Sequence, residues 1–88
     1  MKVEVLKSFE KDVSNILDKK LANKVLIVIN TLENYKTLSE IPNLKKLKHS
    51  GNYYRIKIGN YRLGVKVLDN TFIVIRLLDR KDIYKYFP

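Results

Sequence analysis

The stretch YYRIKIGNYRLGVKV, Tyr53–Val67, decides the fold, because two runs of alternating polarity flank a Gly59-Asn60 turn of the Gly-X type. Folded back on that turn, Ile58 pairs with Tyr61, Lys57 with Arg62, Ile56 with Leu63, Arg55 with Gly64, Tyr54 with Val65 and Tyr53 with Lys66. Directly paired residues share a face. One face of the predicted hairpin therefore carries Tyr53, Arg55, Lys57, Arg62, Gly64 and Lys66. The other carries Tyr54, Ile56, Ile58, Tyr61, Leu63, Val65 and Val67. A slip of one residue would mix the two sets, so the charge pattern itself specifies the register.

After the hairpin, Asp69-Asn70 marks a second turn, and TFIVIRLL is apolar on both faces, the pattern of a strand covered on two sides. The ending DRKDIYKYFP reads as a polar and aromatic tail with one helical turn. On the N-terminal side, Met1 to Leu6 alternates as a short strand. A first helix follows, with Ser8 as its N-cap and Glu10 and Asp12 in its first turn. Phe9, Val13, Ile16 and Leu17 form its apolar stripe. A second helix from about Lys20 to Tyr35 places Leu21, Val25, Val28 and Leu32 on one stripe, with Ala22, Leu26 and Ile29 beside it. Thr37 to Pro42 is a connector, and the NLKKLKHSGN segment then brings lysines to the edge of the hairpin.

The predicted fold class is α+β: a β-α-α-β-β-β order with two N-terminal helices packed on a largely antiparallel sheet and a short C-terminal tail. At 88 residues the chain is expected to form a single domain over 1–88. It contains no cysteine, which excludes disulfides, thiolate metal sites and a cysteine nucleophile. No apolar run is long enough for a membrane span and charges interrupt the N-terminus, so a cytoplasmic protein without a membrane partner is expected.

The 18 basic and 9 acidic residues give a net charge of +9, unevenly spread. No acid lies between Glu40 and Asp69, while Lys45, Lys46, Lys48, Arg55, Lys57, Arg62 and Lys66 all do. A sustained field of one sign implies an anionic partner, most simply nucleic acid, or else an acidic protein. His49, the lone histidine, sits in a predicted loop with no second ligand for a metal.

The element order, the LKKLK segment leading into YYRIKIGNYRLGVKV and the ending DRKDIYKYF resemble the RelE/ParE superfamily of toxin-antitoxin toxins. The resemblance implies an endoribonuclease that cleaves mRNA on the ribosome, without cofactor or metal, and that a cognate antitoxin silences. The alternative within the superfamily is a ParE-like inhibitor of DNA gyrase that cleaves nothing. Carried over position by position, the resemblance implies catalytic roles for Arg55, Lys57, Arg62, Arg80 and Tyr84, with Tyr86 a second tail candidate. Many relatives have a histidine just before that last arginine, where this chain has Asp79.

Cleavage by the ribose 2′-hydroxyl asks for a proton acceptor, charge stabilisation at phosphorus and a proton for the departing 5′-oxygen. Arg62 and Arg80 suit the phosphate, because a guanidinium offers parallel donors and stays charged. Lys57, crowded by like charge, is the candidate proton acceptor. Tyr84 is the candidate to stack on a base or donate a proton. Lys45, Lys46, Lys48, Tyr53, Lys66 and Tyr86 are the candidate RNA contacts around them. Arg76 is left out of the site: a two-residue Asp69-Asn70 turn pairs it with Leu63 on the apolar side, whereas a longer loop would put it with Arg62.

Overall fold

The hairpin forms in the predicted register: β3 (Tyr53–Ile58) and β4 (Tyr61–Leu68) pair Lys57 with Arg62 and Tyr53 with Lys66 in the computed structural model, which describes residues 1–47 and 51–88. Gly59 supplies the positive φ, +57°, that a type II′ turn needs at its first central position. Asp69 and Asn70, at +49° and +61°, make the next turn in the I′ manner and lead into β5 (Thr71–Asp79).

The sheet has five strands in the order β1-β5-β4-β3-β2, and all neighbours are antiparallel except β1 (Lys2–Val5), which runs parallel to β5. One strand was not predicted. β2 (Leu44–Lys46) pairs with β3 where the sequence suggests only a connector, and its three residues are too few for any period to show.

The apolar face of the hairpin joins a core built from Ile56, Ile58, Leu63 and Val65 with Phe72, Val74 and Leu77 of β5. Phe9 of α1 (Lys7–Ser14) and Val25 and Leu32 of α2 (Lys19–Leu32) close it from above. Val25 and Leu32 are 0% and 1% exposed, and burying each contributes about 1.5–3 kcal/mol. The Asp18 carboxylate starts α2 by accepting from the backbone N–H of Lys20 and Leu21 at 2.9 and 3.3 Å. The helix ends at Leu32, short of the predicted Tyr35, and Leu26, expected beside the buried stripe, is 50% exposed. The connector holds a single 3₁₀ turn, Leu38–Glu40, and a short helix, α3 (Ile83–Tyr86), forms in the tail. No helix of the described residues is long and apolar enough to cross a membrane.

β5 explains two expectations that changed. Val65 pairs with Val74 but Gly64 pairs with Arg76, so Ile75 is the extra residue of a β-bulge. The bulge shifts the alternation: Phe72, Val74 and Leu77 face the helices, whereas Ile75 and Leu78 join a second apolar cluster. β5 is thus covered on two sides, as TFIVIRLL predicts, by the helices on one face and by the tail's apolar cluster on the other. Beyond Val74, β5 has lost β1 as its neighbour, and α1 takes over its edge. Ser8, not an N-cap, donates its hydroxyl to the Ile75 carbonyl at 2.6 Å. Asp12 accepts from the Leu77 backbone N–H at 2.9 Å and from Arg76 Nε and Nη2 at 2.7 and 3.2 Å. The bond to Asp12 pushes the Arg76 guanidinium above its ordinary range, so its charge is fixed.

The 3₁₀ turn is held by a capping box in which Glu40 accepts from the backbone N–H of Lys36 and Thr37 at 2.7 and 2.9 Å. Those donors, Thr37 first and Lys36 second, hold the Glu40 carboxyl below the usual carboxylate range. A carboxyl lowered by folding stabilises above its unfolded pKa and loses that contribution as pH falls through the folded value. Glu40→Gln is therefore expected to be less stable than wild type at pH 7. The gap should close on acidification through the carboxylate range, as followed by urea melts at each pH.

Candidate RNA-binding site

Three cations meet at one end of the sheet. Lys57 and Arg62 are direct cross-strand partners on the face away from the helices. Arg80 joins them through the backbone: its N–H donates to the Asn60 carbonyl in the hairpin turn at 2.9 Å. Lys57 and Arg80 are exposed and Arg62 is half-buried. Arg62 Nη1 donates to the Gly59 and Tyr61 carbonyls at 3.0 and 2.9 Å, which holds the guanidinium over the turn. Among the described residues nothing engages its Nε and Nη2 edge, which suits the paired donation that a phosphate accepts.

Asp79 builds the turn that presents Arg80. Its carboxylate accepts from the Lys81 N–H at 2.9 Å and its carbonyl from the Asp82 N–H at 2.8 Å. The residue type fits that task, since an aspartate readily bonds the backbone two residues on.

The outer face is not an unbroken basic sheet. The segment after β5 folds across its middle, where Leu47, Ile83 and Phe87 form the buried centre of a second apolar cluster flanked by Tyr53, Ile75 and Leu78. Phe87 stands edge-on to Tyr53, with ring centres 5.6 Å apart and an angle of 83°. Lys66 Nζ lies 5.4 Å from the centre of the Tyr53 ring, so both predicted contacts are engaged with each other. Arg55 turns toward β2: its Nη1 donates to the Asn43 carbonyl at 3.0 Å, and its Nε is buried without a hydrogen-bond partner among the described residues. Arg55 thus braces the start of β2 and adds to the positive field rather than reaching outward.

A cavity of about 440 Å³ opens where the tail meets the β2 edge, lined by Lys45, Lys46, Leu47, Tyr84, Phe87 and Pro88. Tyr84 is 64% exposed and lines it; Tyr86, 62% exposed, does not. Lys45 pairs with Arg55 and shares its face, whereas Lys46 pairs with Tyr54 and leaves the strand on the helix side. Lys48 and His49 lie outside the described residues. Arg76 is turned to Asp12 and takes no part. Among the described residues no group of three or more His, Cys, Asp or Glu side chains is placed to hold a metal ion. Gly64 and Phe87 were not singled out from sequence, although a glycine inside a strand is a recognised sign of close approach by another group.

A family model described as the ParE toxin of the type II toxin-antitoxin system parDE matches residues 3–84. The chain belongs to the RelE/ParE superfamily of type II toxins. Toxin RelE3 of Methanocaldococcus jannaschii is 39% identical over 89 residues that span 100% of both chains. The toxin also matches a structure described as the RelB-RelE antitoxin-toxin complex from Methanococcus jannaschii, with a TM-score of 0.80, 36% identity and coverage of 97% of this chain and 99% of that one. YafQ from E. coli, at 21% identity, shares the fold with a TM-score of 0.72 over 94% of this chain and 97% of its own. This chain is accordingly a RelE-like toxin on the superfamily's α+β scaffold.

Proposed function

We propose that this RelE-like toxin is an endoribonuclease that cleaves mRNA in the cytoplasm, with the ribosome positioning the message. The observation that carries the reading is the convergence of Lys57, Arg62 and Arg80 on one end of the sheet's outer face. In the reaction, Lys57 accepts the proton of a ribose 2′-hydroxyl, whose oxygen attacks the adjacent phosphorus. The P–O5′ bond breaks, the departing oxygen takes a proton from solvent water, the proton held on Lys57 returns to solvent, and a cyclic phosphate and a free 5′-hydroxyl result. Arg62 and Arg80 stabilise the charge that builds on the phosphate oxygens, the largest single contribution in reactions of this kind. Tyr84, beside Lys45 and Lys46, stacks on a neighbouring base. Arg55, Tyr53 and Lys66 follow along the same face of the hairpin, where Arg55 and Lys66 supply positive field, and Tyr86 is a further RNA contact from the tail.

So small and open a site cannot orient a flexible strand alone, and orientation can account for much of a barrier. Ribosome dependence follows. An antitoxin is the second partner, supported by the match to a toxin solved in complex with its antitoxin. An acidic segment would neutralise the basic face, and exposed Val5, Leu6, Leu26 and Ile27 offer apolar purchase for its other residues.

The family model's description favours one rival, a ParE-like protein that blocks DNA gyrase. Mapping 5′ ends of messages in a translating extract, with a gyrase supercoiling assay in parallel, separates them. New 5′ ends within codons support the ribonuclease. Intact messages with failed supercoiling would install the rival.

A further inference from the structure

We propose that Gly64 and Phe87 form a seat that positions Tyr84 for cleavage, making Phe87 a positioning residue; the inference rests on the ribonuclease reading above. The Phe87 ring lies so close to the β4 backbone that a Cβ on residue 64 would stand 2.8 Å from its Cδ2 and 2.9 Å from its Cδ1 and Cε2. Gly64 does not have a positive φ, so the position requires glycine for space and not for backbone conformation.

α3 is one turn of four residues, too short to hold a helical conformation by itself. Its orientation comes from its anchors. Ile83 and Phe87, 0% and 4% exposed, lie four residues apart on the same side, and the Phe87 N–H donates to the Ile83 carbonyl at 2.9 Å. With those two side chains buried, Tyr84 is turned outward to the cavity that Lys45 and Lys46 line. At the other end, the Arg80 N–H is held by Asn60. The segment is therefore staked at both ends of the site, and both of its predicted functional side chains lie between or at the stakes. Gly64 itself sits two residues from Arg62 on β4, so the seat ties the tail's position to the strand that carries the phosphate-binding arginine.

Carbon atoms pack best at about 3.5–4.0 Å, so a methyl group at residue 64 must move the Phe87 ring by roughly 0.7 Å or more. A misplacement near 1 Å can cost about 100-fold in rate. Gly64→Ala is therefore expected to lower single-turnover cleavage of ribosome-bound message about 10- to 100-fold, with circular dichroism unchanged. Phe87→Leu in the same chain relieves the crowding and should recover most of the loss. Phe87→Ala empties the seat instead of crowding it and serves as the second variant, with the same expected loss.

The decisive readout is the Tyr84→Ala background, where Phe87→Ala should cost less than about 2-fold, because the group being positioned is gone and Arg80 keeps its own anchor. A merely structural role would multiply the two losses. Wild-type rates in Gly64→Ala and Phe87→Ala, or losses that multiply with Tyr84→Ala, overturn the seat while leaving the ribonuclease standing. A wild-type protein that cleaves no message overturns the ribonuclease reading and the seat with it.

Discussion

Arg62→Ala should lower message cleavage by about 100- to 1,000-fold while the protein stays folded, the loss typical of removing one preorganised donor to a developing oxyanion. Arg62 is the cation whose place is best defined. Its backbone is fixed by pairing with Lys57, its Nη1 is anchored on the Gly59 and Tyr61 carbonyls, and its remaining edge has no partner among the described residues. The anchoring bonds link groups at an exposed turn, so losing them costs about 1 kcal/mol or less. Arg62→Lys keeps the charge but not the two-donor edge, and should recover only part of the rate. The check is primer-extension mapping of 5′ ends in a translating extract, with matched protein concentrations and thermal melts. Cleavage by Arg62→Ala at the wild-type rate would remove Arg62 from the mechanism.

The second large effect is on stability. Asp12→Ala should destabilise by about 2–3 kcal/mol, because one carboxylate is the acceptor for the Leu77 N–H and for two nitrogens of Arg76. The Asp12 side chain is only 14% exposed and that of Arg76 32%, so water replaces those bonds incompletely. In a chain of 88 residues this corresponds to a fall in Tm of roughly 10–20 °C. Asp12→Asn keeps an acceptor oxygen for the Leu77 N–H and should lose less. Removing Arg76 as well should cost less than the sum of the two single changes, since Asp12→Ala strands a charge that Arg76→Ala then deletes. Melts of the four proteins test this, and strict additivity would show that the pair is not coupled.

The hairpin was legible because each of its residues repeats the same message: turn chemistry, strand propensity and charge alternation all specify one register. With the register came the juxtaposition of Lys57 and Arg62, and with the resemblance came Arg80 and Tyr84. The bulge at Ile75 was not legible. Nothing local marks it, and the residues that bond the bulged stretch, Ser8 and Asp12, lie more than 60 positions away in the chain. For the same reason Ser8 looked like a cap, since a serine at a helix start does not reveal that its hydroxyl serves a strand carbonyl. The tail's path across the outer face was equally hidden. Only the glycine at position 64 hinted that something would come close, and the sequence could not say that it was Phe87.

The parallel pairing of β1 with β5 joins Val5 to Val74, so the earliest strand to leave the ribosome waits for the latest one. The β3–β4–β5 meander needs only adjacent segments and should assemble first, with the N-terminal strand and α1 docking afterwards, since distant closures are slow. Pulse-labelled hydrogen exchange during refolding should find Leu63 and Val65 amides protected before those of β1; simultaneous protection would refute the order. Until α1 arrives, the lower half of β5 is an uncapped strand edge open to foreign chains. The interval of greatest vulnerability to aggregation therefore opens when β5 is complete and closes when the N-terminal strand and α1 dock on it.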